Sequence, residues 1–330
     1  MSEMDTKIMD EEIIGEVESE LKLLEFSQKM IVDSIKNRTI LLVDLTMNEN
    51  KDILKLAYDR LKKHQLLLKY YLSKFEVEDG LSASKVFQFF LGPDVNFKVI
   101  SVSKFPPRVP PGTEFAFVIF SGSPANVTDA LTSCKDGKRN NHQLVYEFAS
   151  ELYNFAVDYD LPIFGTCYGH QFLSHKNGNI ILNKGSFTAG KISKTISKKI
   201  SHILKGNNTV NERGFIPYYN GEVVKGYNNA YPIFETDVTL DENINDGSIF
   251  FTGDNSSDLS QFLDFDFRWS LGLQGHPEYS IFEPIFSAAW ATKEITPLGQ
   301  RSLGSDILEL LAHLINLRGM SGKLYFEKIL

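Results

Sequence analysis

Apolar and polar positions alternate along this chain with two different periods, and the change of period marks its elements. Between residues 10 and 36, Ile14, Val17, Leu21, Leu24, Ile31 and Ile35 recur at spacings of three and four, with Gln28 in the same register. This is a helical seam, which either packs on the body of the protein or joins another chain as a short coiled coil. "TILLVDL" (Thr39–Leu45) is a compact β-branched and leucine run, as expected of a strand buried on both faces. Leu54, Ala57, Leu61, Leu68 and Leu72 predict helix, and "FKVISV" (Phe97–Val102) a second strand. "PPRVPPG" (Pro106–Gly112) is a loop, because its prolines cannot donate ladder hydrogen bonds. "FAFVIF" (Phe115–Phe120) is a third strand and "LPIFG" (Leu161–Gly165) a fourth. Between them Val145, Phe148, Ala149, Leu152, Phe155 and Ala156 repeat with helical spacing.

Strand, helix and strand with short links predict parallel pairing and right-handed crossovers. The expected fold class is α/β, with a mostly parallel central sheet flanked by helices. From about Asn179 to Leu273 the extended runs shorten ("NIILN", "EVVKGYN", "GSIFFTG", "WSLGLQG"), with a polar loop at Lys205–Gly214. A last helix is expected from near Ser305 to near Gly319, with Ile307, Leu310, Leu311 and Leu314 inward. The expected organisation is a helical extension over 1–38 followed by one domain over 39–330, its core at 39–292 and closing helices at 293–330.

Composition narrows the functional classes. Apolar residues at 42% and charged residues at 23% permit an ordinary buried core. The formal net charge of -8 argues against nucleic acid as a partner, which would require a clustered positive footprint. The basic run "KISKTISKKI" (Lys191–Ile200) is short and is expected to be solvated. Cys134 and Cys167 make neither a disulfide framework nor a zinc pattern. The N-terminus is acidic and without an apolar core, and no apolar run reaches the length of a membrane span. A cytoplasmic protein is expected, and the N-x-S/T triplets at Asn37, Asn126, Asn207 and Asn255 are read as chance.

Ligand sites in parallel sheets lie outside the carboxyl ends of the strands, where "SGSP" (Ser121–Pro124) and "GTCYG" (Gly165–Gly169) both fall. Gly165-Thr166-Cys167-Tyr168-Gly169 has the form of a nucleophile elbow between strand and helix. Its glycines permit close backbone approach, and the N-terminus of the following helix favours negative charge on the sulfur. The competing reading is an inert cysteine buried beside a tight turn. A nucleophile needs a base and a group that orients the base. His64 and His313 lie in helical patterns, and His142 and His202 in polar contexts. His170 and His175 follow the elbow on one helix, five apart. His276 instead ends an apolar strand in "LGLQGHPEYS" (Leu271–Ser280), and Glu278 can fold back to hold its imidazole. In an α/β-hydrolase the acid precedes the histidine, so this order counts against that fold.

"GTCYGHQ", "LQGHPEY" and "FVIFSGSP" together resemble the three signatures of class I (triad) glutamine amidotransferases, in the right order, over roughly Thr39 to Thr292. The resemblance is greatest to the branch similar to the glutaminase part of GMP synthase, which includes γ-glutamyl peptidases. It implies a flavodoxin-like fold, Cys167 as nucleophile, His276 as general base and acid, and Glu278 as orienting carboxylate. It further implies that Gln171 contacts substrate, that the N–H of Tyr168 and one from the Gly122-Ser123 turn form the oxyanion hole, and that no metal or cofactor is used. The implied substrate is glutamine or another γ-glutamyl compound, the remaining alternative being a catalytically silent binding protein of the same fold. The implied partner is a separate synthase, with the N-terminal helix as a docking or self-association arm. The chain departs from the family pattern in three respects. The family's His-x-Asp element is expected at "KGYNNAYP" (Lys225–Pro232), with asparagines in its place. "SGSP" replaces a double glycine, so Ser123 is expected to present its N–H from a less permissive conformation. Residues 46–96 form a helical insertion that is expected to cover the site or bind a partner.

Overall fold

A computed structural model of the chain describes residues 3–46, 61–75, 81–108, 115–132, 139–204, 213–235, 244–252, 268–287, 295 and 297–316. Leu54, Ala57, Cys134, the glycosylation-like triplets at Asn207 and Asn255, and most of the polar loop at 205–214 lie outside these residues, as does the end of the last expected helix.

In chain order the elements are α1 (Glu3–Ile35), β1 (Thr39–Asp44), α2 (Gln65–Phe75), α3 (Ala83–Leu91), β2 (Phe97–Ser101), β3 (Phe115–Phe120), α4 (Val127–Leu131), α5 (Asn141–Asp158), β4 (Ile163–Thr166) and α6 (Tyr168–Lys176). They continue with β5 (Ile180–Thr195), α7 (Lys198–Ile203), β6 (Arg213–Lys225), β7 (Ala230–Pro232), β8 (Gly247–Thr252), β9 (Arg268–Leu273), a 3-10 turn over Pro277–Phe282, α8 (Glu283–Phe286) and α9 (Gly304–Asn316).

Seven strands form one sheet in the order β2-β1-β3-β4-β9-β8-β7. The pairs from β2 through β9 are parallel, and β8 and β7 add antiparallel strands at one edge. This is the mostly parallel α/β fold that the pattern predicts. Both faces are covered, which explains why β3 is buried at all six positions and reads as an unbroken apolar run. Alternate side chains enter opposite layers. Ile40, Leu42, Phe117 and Ile119 pack with α1, α2, α3 and α9, whereas Leu41, Val43, Val118 and Phe120 pack with α5 and α6. The start of α5 is fixed by a reciprocal capping box: Asn140 accepts from Gln143 N–H and the Gln143 side chain accepts from Asn140 N–H.

The seam of α1 is spent inside the molecule. Ile13, Val17, Leu24, Ile31 and Ile35 are buried in the core, packed chiefly on α9, and Gln28 donates to the carbonyls of Phe89 and Phe90. It is therefore not offered to another chain as a coiled coil. His64, read within a helical pattern, is a packing residue: it is buried with Nδ1 2.6 Å from Asp10 of α1.

The run at 180–195 is longer than "NIILN" suggests. β5 and β6 form a separate antiparallel arm, registered from Ile180↔Lys225 to Thr195↔Arg213. The basic run is only partly solvated: Lys191 donates to the Pro297 and Leu298 carbonyls and Lys194 pairs with Asp246, whereas Lys198 is exposed. Lys191 and Lys194 thus bridge segments through their long side chains.

Candidate active site

The end of β4 delivers the chain to Cys167, whose φ of 50° and ψ of -103° lie outside the comfortable range of a non-glycine residue. Strain of this kind persists only where the surroundings over-determine it. Here the Cys167 N–H donates to the Leu273 carbonyl at 2.7 Å, and the glycines remove all slack. A Cβ on Gly165 would lie 2.7 Å from the Gly169 carbonyl carbon, and one on Gly169 would lie 2.5 Å from the Phe120 oxygen. The two positions therefore admit only glycine, as the elbow motif suggests.

β9 runs beside β4, with Thr166 opposite Leu273, and so brings His276 to the elbow. The His276 N–H donates to the Pro217 carbonyl at 2.7 Å, fixing the loop. Its Nδ1 lies 2.9 Å from Glu278 Oε1, and the ring is close enough to the Cys167 sulfur to feel its charge, while the thiol itself points to the Tyr219 carbonyl at 3.7 Å. Burial alone would push the imidazole pKa down. The Glu278 carboxylate and the Cys167 sulfur more than offset it and raise the pKa to about 10. Cys167, His276 and Glu278 are all at least 95% buried, so these interactions act with little solvent screening. The imidazole ring lies 4.3 Å from the Tyr279 ring at 2° between planes, and Tyr279 stacks in turn on Phe286. Thr166 Oγ1 donates to the same Glu278 oxygen at 3.1 Å.

A cavity of about 480 Å³ opens over the sulfur, lined among others by Gly122, Ser123, Gln171, Asn220, Glu222, His276 and Tyr279. Tyr168 begins α6, where the first N–H groups have no partner within the helix. The Ser121 hydroxyl accepts from Leu45 N–H and donates to the Gly122 carbonyl. Because the peptide is planar and trans, this turns the Ser123 N–H to the opposite side. Ser123 does so without a positive φ, so the substitution for a double glycine demands no left-handed backbone. Gln171 is buried on α6, its Nε2 3.4 Å from Gln274 Oε1.

The segment Lys225–Pro232, where that element is expected, does not line the cavity. Asn228 is occupied with Asn179 and Gly178, and Tyr227 donates to the Ile244 carbonyl. Facing the sulfur instead is Asn220-Gly221-Glu222 of β6, which has the same x-spaced form. Asn220 Oδ1 accepts from Lys184 at 2.6 Å, while its buried Nδ2 has no partner among the described residues. Burial lowers the Lys184 pKa. Glu222 is also buried, and its carboxylate accepts from Val127 N–H, Thr128 N–H and the Thr128 hydroxyl. Between Asn183 and Thr188 the arm bulges, with four residues of β5 opposite Gly221 alone. The bulge carries Phe187 to the cavity wall, 60% exposed. Of the insertion at 46–96, only Thr46 lines the cavity among the described residues; α2 and α3 pack behind the 3-10 turn.

Residues 94–283 match the sequence profile described as glutamine amidotransferase class-I. The chain belongs to the class I glutamine amidotransferase family. The matched span holds every candidate residue from Gly122 to Glu278 and leaves α1, β1, α2 and α3 outside it. Among solved structures, this family member is similar to a glutamine amidotransferase from Thermotoga maritima, at 11% identity over 88% of this chain and 98% of that one, with a TM-score of 0.43. It is similar to a glutamine amidotransferase from Methylobacillus flagellatus at 12% identity over 86% and 94%, TM-score 0.41. It is also similar to a chain of PurLQS from Thermotoga maritima at 14% identity over 84% and 99%, TM-score 0.41. No curated protein sequence matches. Among the described residues, no helix is long and apolar enough to cross a membrane.

Proposed function

We propose that the protein hydrolyses a γ-glutamyl amide through a γ-glutamyl thioester on Cys167, with glutamine as the first substrate and the released ammonia passing to a separate synthase. The observation that carries this reading is the His276 imidazole, held between the Cys167 sulfur and the Glu278 carboxylate at a strained elbow. The sulfur adds to the γ-carbonyl carbon, and the N–H groups of Tyr168 and Ser123 receive the oxyanion. One such donor contributes about 3–4 kcal/mol to related acyl transfers. Protonated His276 gives its proton to the departing nitrogen as the C–N bond breaks, leaving the thioester. Water, deprotonated by the same imidazole, then adds to the thioester and releases glutamate and the thiolate. Gln171 and Asn220 supply polar contacts to the amino-acid end of the substrate.

A second reading, a free-standing γ-glutamyl peptidase acting on glutathione or related conjugates, is favoured by one feature. The cavity has the volume that serves ligands of drug size, about 300–1,000 Å³, and carries an exposed aromatic ring at Phe187.

The test is release of glutamate and ammonia from glutamine and, separately, release of glutamate from glutathione. Cys167→Ala is expected to lower turnover of the true substrate by about 10³-fold or more. Equal glutamate release by the variant would overturn thioester chemistry. Cleavage of glutathione with glutamine untouched would replace the first reading by the second.

A further inference from the structure

Two donors converge on one oxygen of Glu278: His276 Nδ1 at 2.9 Å and the Thr166 hydroxyl at 3.1 Å. The other oxygen, Oε2, is buried and has no hydrogen-bond partner among the described residues. A buried carboxylate held by only two donors depends heavily on each. Thr166 is fully buried, immediately precedes the nucleophile, and sits on β4 opposite Leu273 of the strand that leads to His276. Its side chain thus bridges parts of the site 112 positions apart in sequence.

We infer that Thr166 is a positioning residue: its hydroxyl locks the Glu278 carboxylate toward His276 and so fixes the imidazole against the Cys167 sulfur. An aliphatic side chain of equal size would fill the same space and leave the carboxylate free to turn toward its unpartnered side. The other groups facing His276 would not replace the lost donor. Cys167 takes up the opposite edge of the imidazole, Tyr279 covers its face, and Tyr219 of β6 lies 6.2 Å away by ring centroids. The charges of Asp44 and Glu283 are felt at Tyr279 and Tyr219, and neither carboxyl hydrogen-bonds Glu278. With Glu278 turned away, the imidazole loses its counter-charge and its alignment on the Cys167 sulfur.

The inference rests on the reading of Cys167 and His276 as nucleophile and base, and its test needs no assumption about substrate. Purified wild type, Thr166→Val and Thr166→Ser are alkylated with iodoacetamide from pH 5 to 9, and the adduct on Cys167 is followed by peptide mass spectrometry. The expected result is that Thr166→Val needs a higher pH to reach half its plateau rate, whereas Thr166→Ser follows wild type. On whichever γ-glutamyl amide wild type cleaves, Thr166→Val is expected to lose about 10–100-fold in kcat/KM, mainly through kcat. Thermal melts of all three proteins identify a variant that fails to fold; in that case Thr166→Ser and Thr166→Ala are compared instead. Identical alkylation profiles in folded Thr166→Val and wild type would overturn the inference. A wild type inert toward glutamine and glutathione, with the profiles shifted as expected, would overturn the γ-glutamyl reading and leave the positioning role standing.

Discussion

His276 is confined from three directions: Glu278 holds one ring nitrogen, Tyr279 lies flat on its face, and Gly122 borders its Cε1 edge. A methyl group on Gly122 would come within 2.7 Å of that carbon, and the ring is already held by Glu278 and by the stack on Tyr279. Gly122→Ala is therefore expected to fold with a modest loss of stability, about 1–3 kcal/mol as for overpacked sites. Its kcat/KM is expected to fall about 10²-fold, because displacement of a reacting group by a fraction of an ångström is that costly. Steady-state kinetics with a parallel urea titration separate the two effects, and an active variant would show that the ring can move. Which residues meet at this point was partly legible in the sequence. The elbow and the strand-terminal His276 are local patterns, and Glu278 is only two residues from the imidazole it holds. Thr166, Tyr279 and Asn220 were not legible, since their positions depend on the register between β4 and β9 and on the fold of the β5–β6 arm. Asn220-x-Glu222 even had the expected spacing, but with a longer strand around it than the short extended runs implied.

The helices outside the matched family span buttress the element that carries the imidazole. Tyr71 of α2 donates to the Ile281 carbonyl at 2.7 Å, and Phe75 and Phe89 meet Phe282 at the end of the same 3-10 turn. α1 adds the Glu20 carboxylate on Ser302 N–H and Glu16 on Leu298 and Gly299 N–H, fixing the segment that pairs with Phe215 of β6. Five fully buried aliphatic side chains of α1 are worth about 1.5–3 kcal/mol each, as much together as the net stability of a typical domain, about 5–15 kcal/mol. A chain starting at residue 37 is accordingly expected to be insoluble or to lack a cooperative melt, which circular dichroism and calorimetry would show. A soluble, cooperatively folding truncation would mean that α1 is an appendage. At this scale the parallel strands and their helices were readable, because burial on both faces leaves unbroken apolar runs. The role of α1 was readable only as a choice between two partners, since a seam states that something covers it and not what.

At the scale of the molecule, the buried groups His170, Glu283 and His276 tie stability to pH in different directions. Burial pushes the His170 pKa down to about 4, so its contribution is complete above about 6.5 and is lost as the pH falls toward 4. Burial raises Glu283 to about 7, so its contribution is complete below about 4.5 and is lost as the pH rises through 7. His276, raised to about 10, contributes fully below about 6.5 and progressively less as the pH approaches 10. Between about 4.5 and 6.5 the first two act against each other and flatten the curve; above 6.5 Glu283 and His276 both contribute losses. Glu283 is buried at the start of α8, with Lys191 as the cation acting on it, and at alkaline pH it is an ionised carboxylate in the core. Glu283→Gln removes that charge and is expected to gain on wild type as the pH rises from 5 to 8, by on the order of 3 kcal/mol. Urea unfolding of both proteins at the two pH values measures the difference. Parallel pH profiles would show that the Glu283 carboxylate is as well accommodated in the fold as in the unfolded chain.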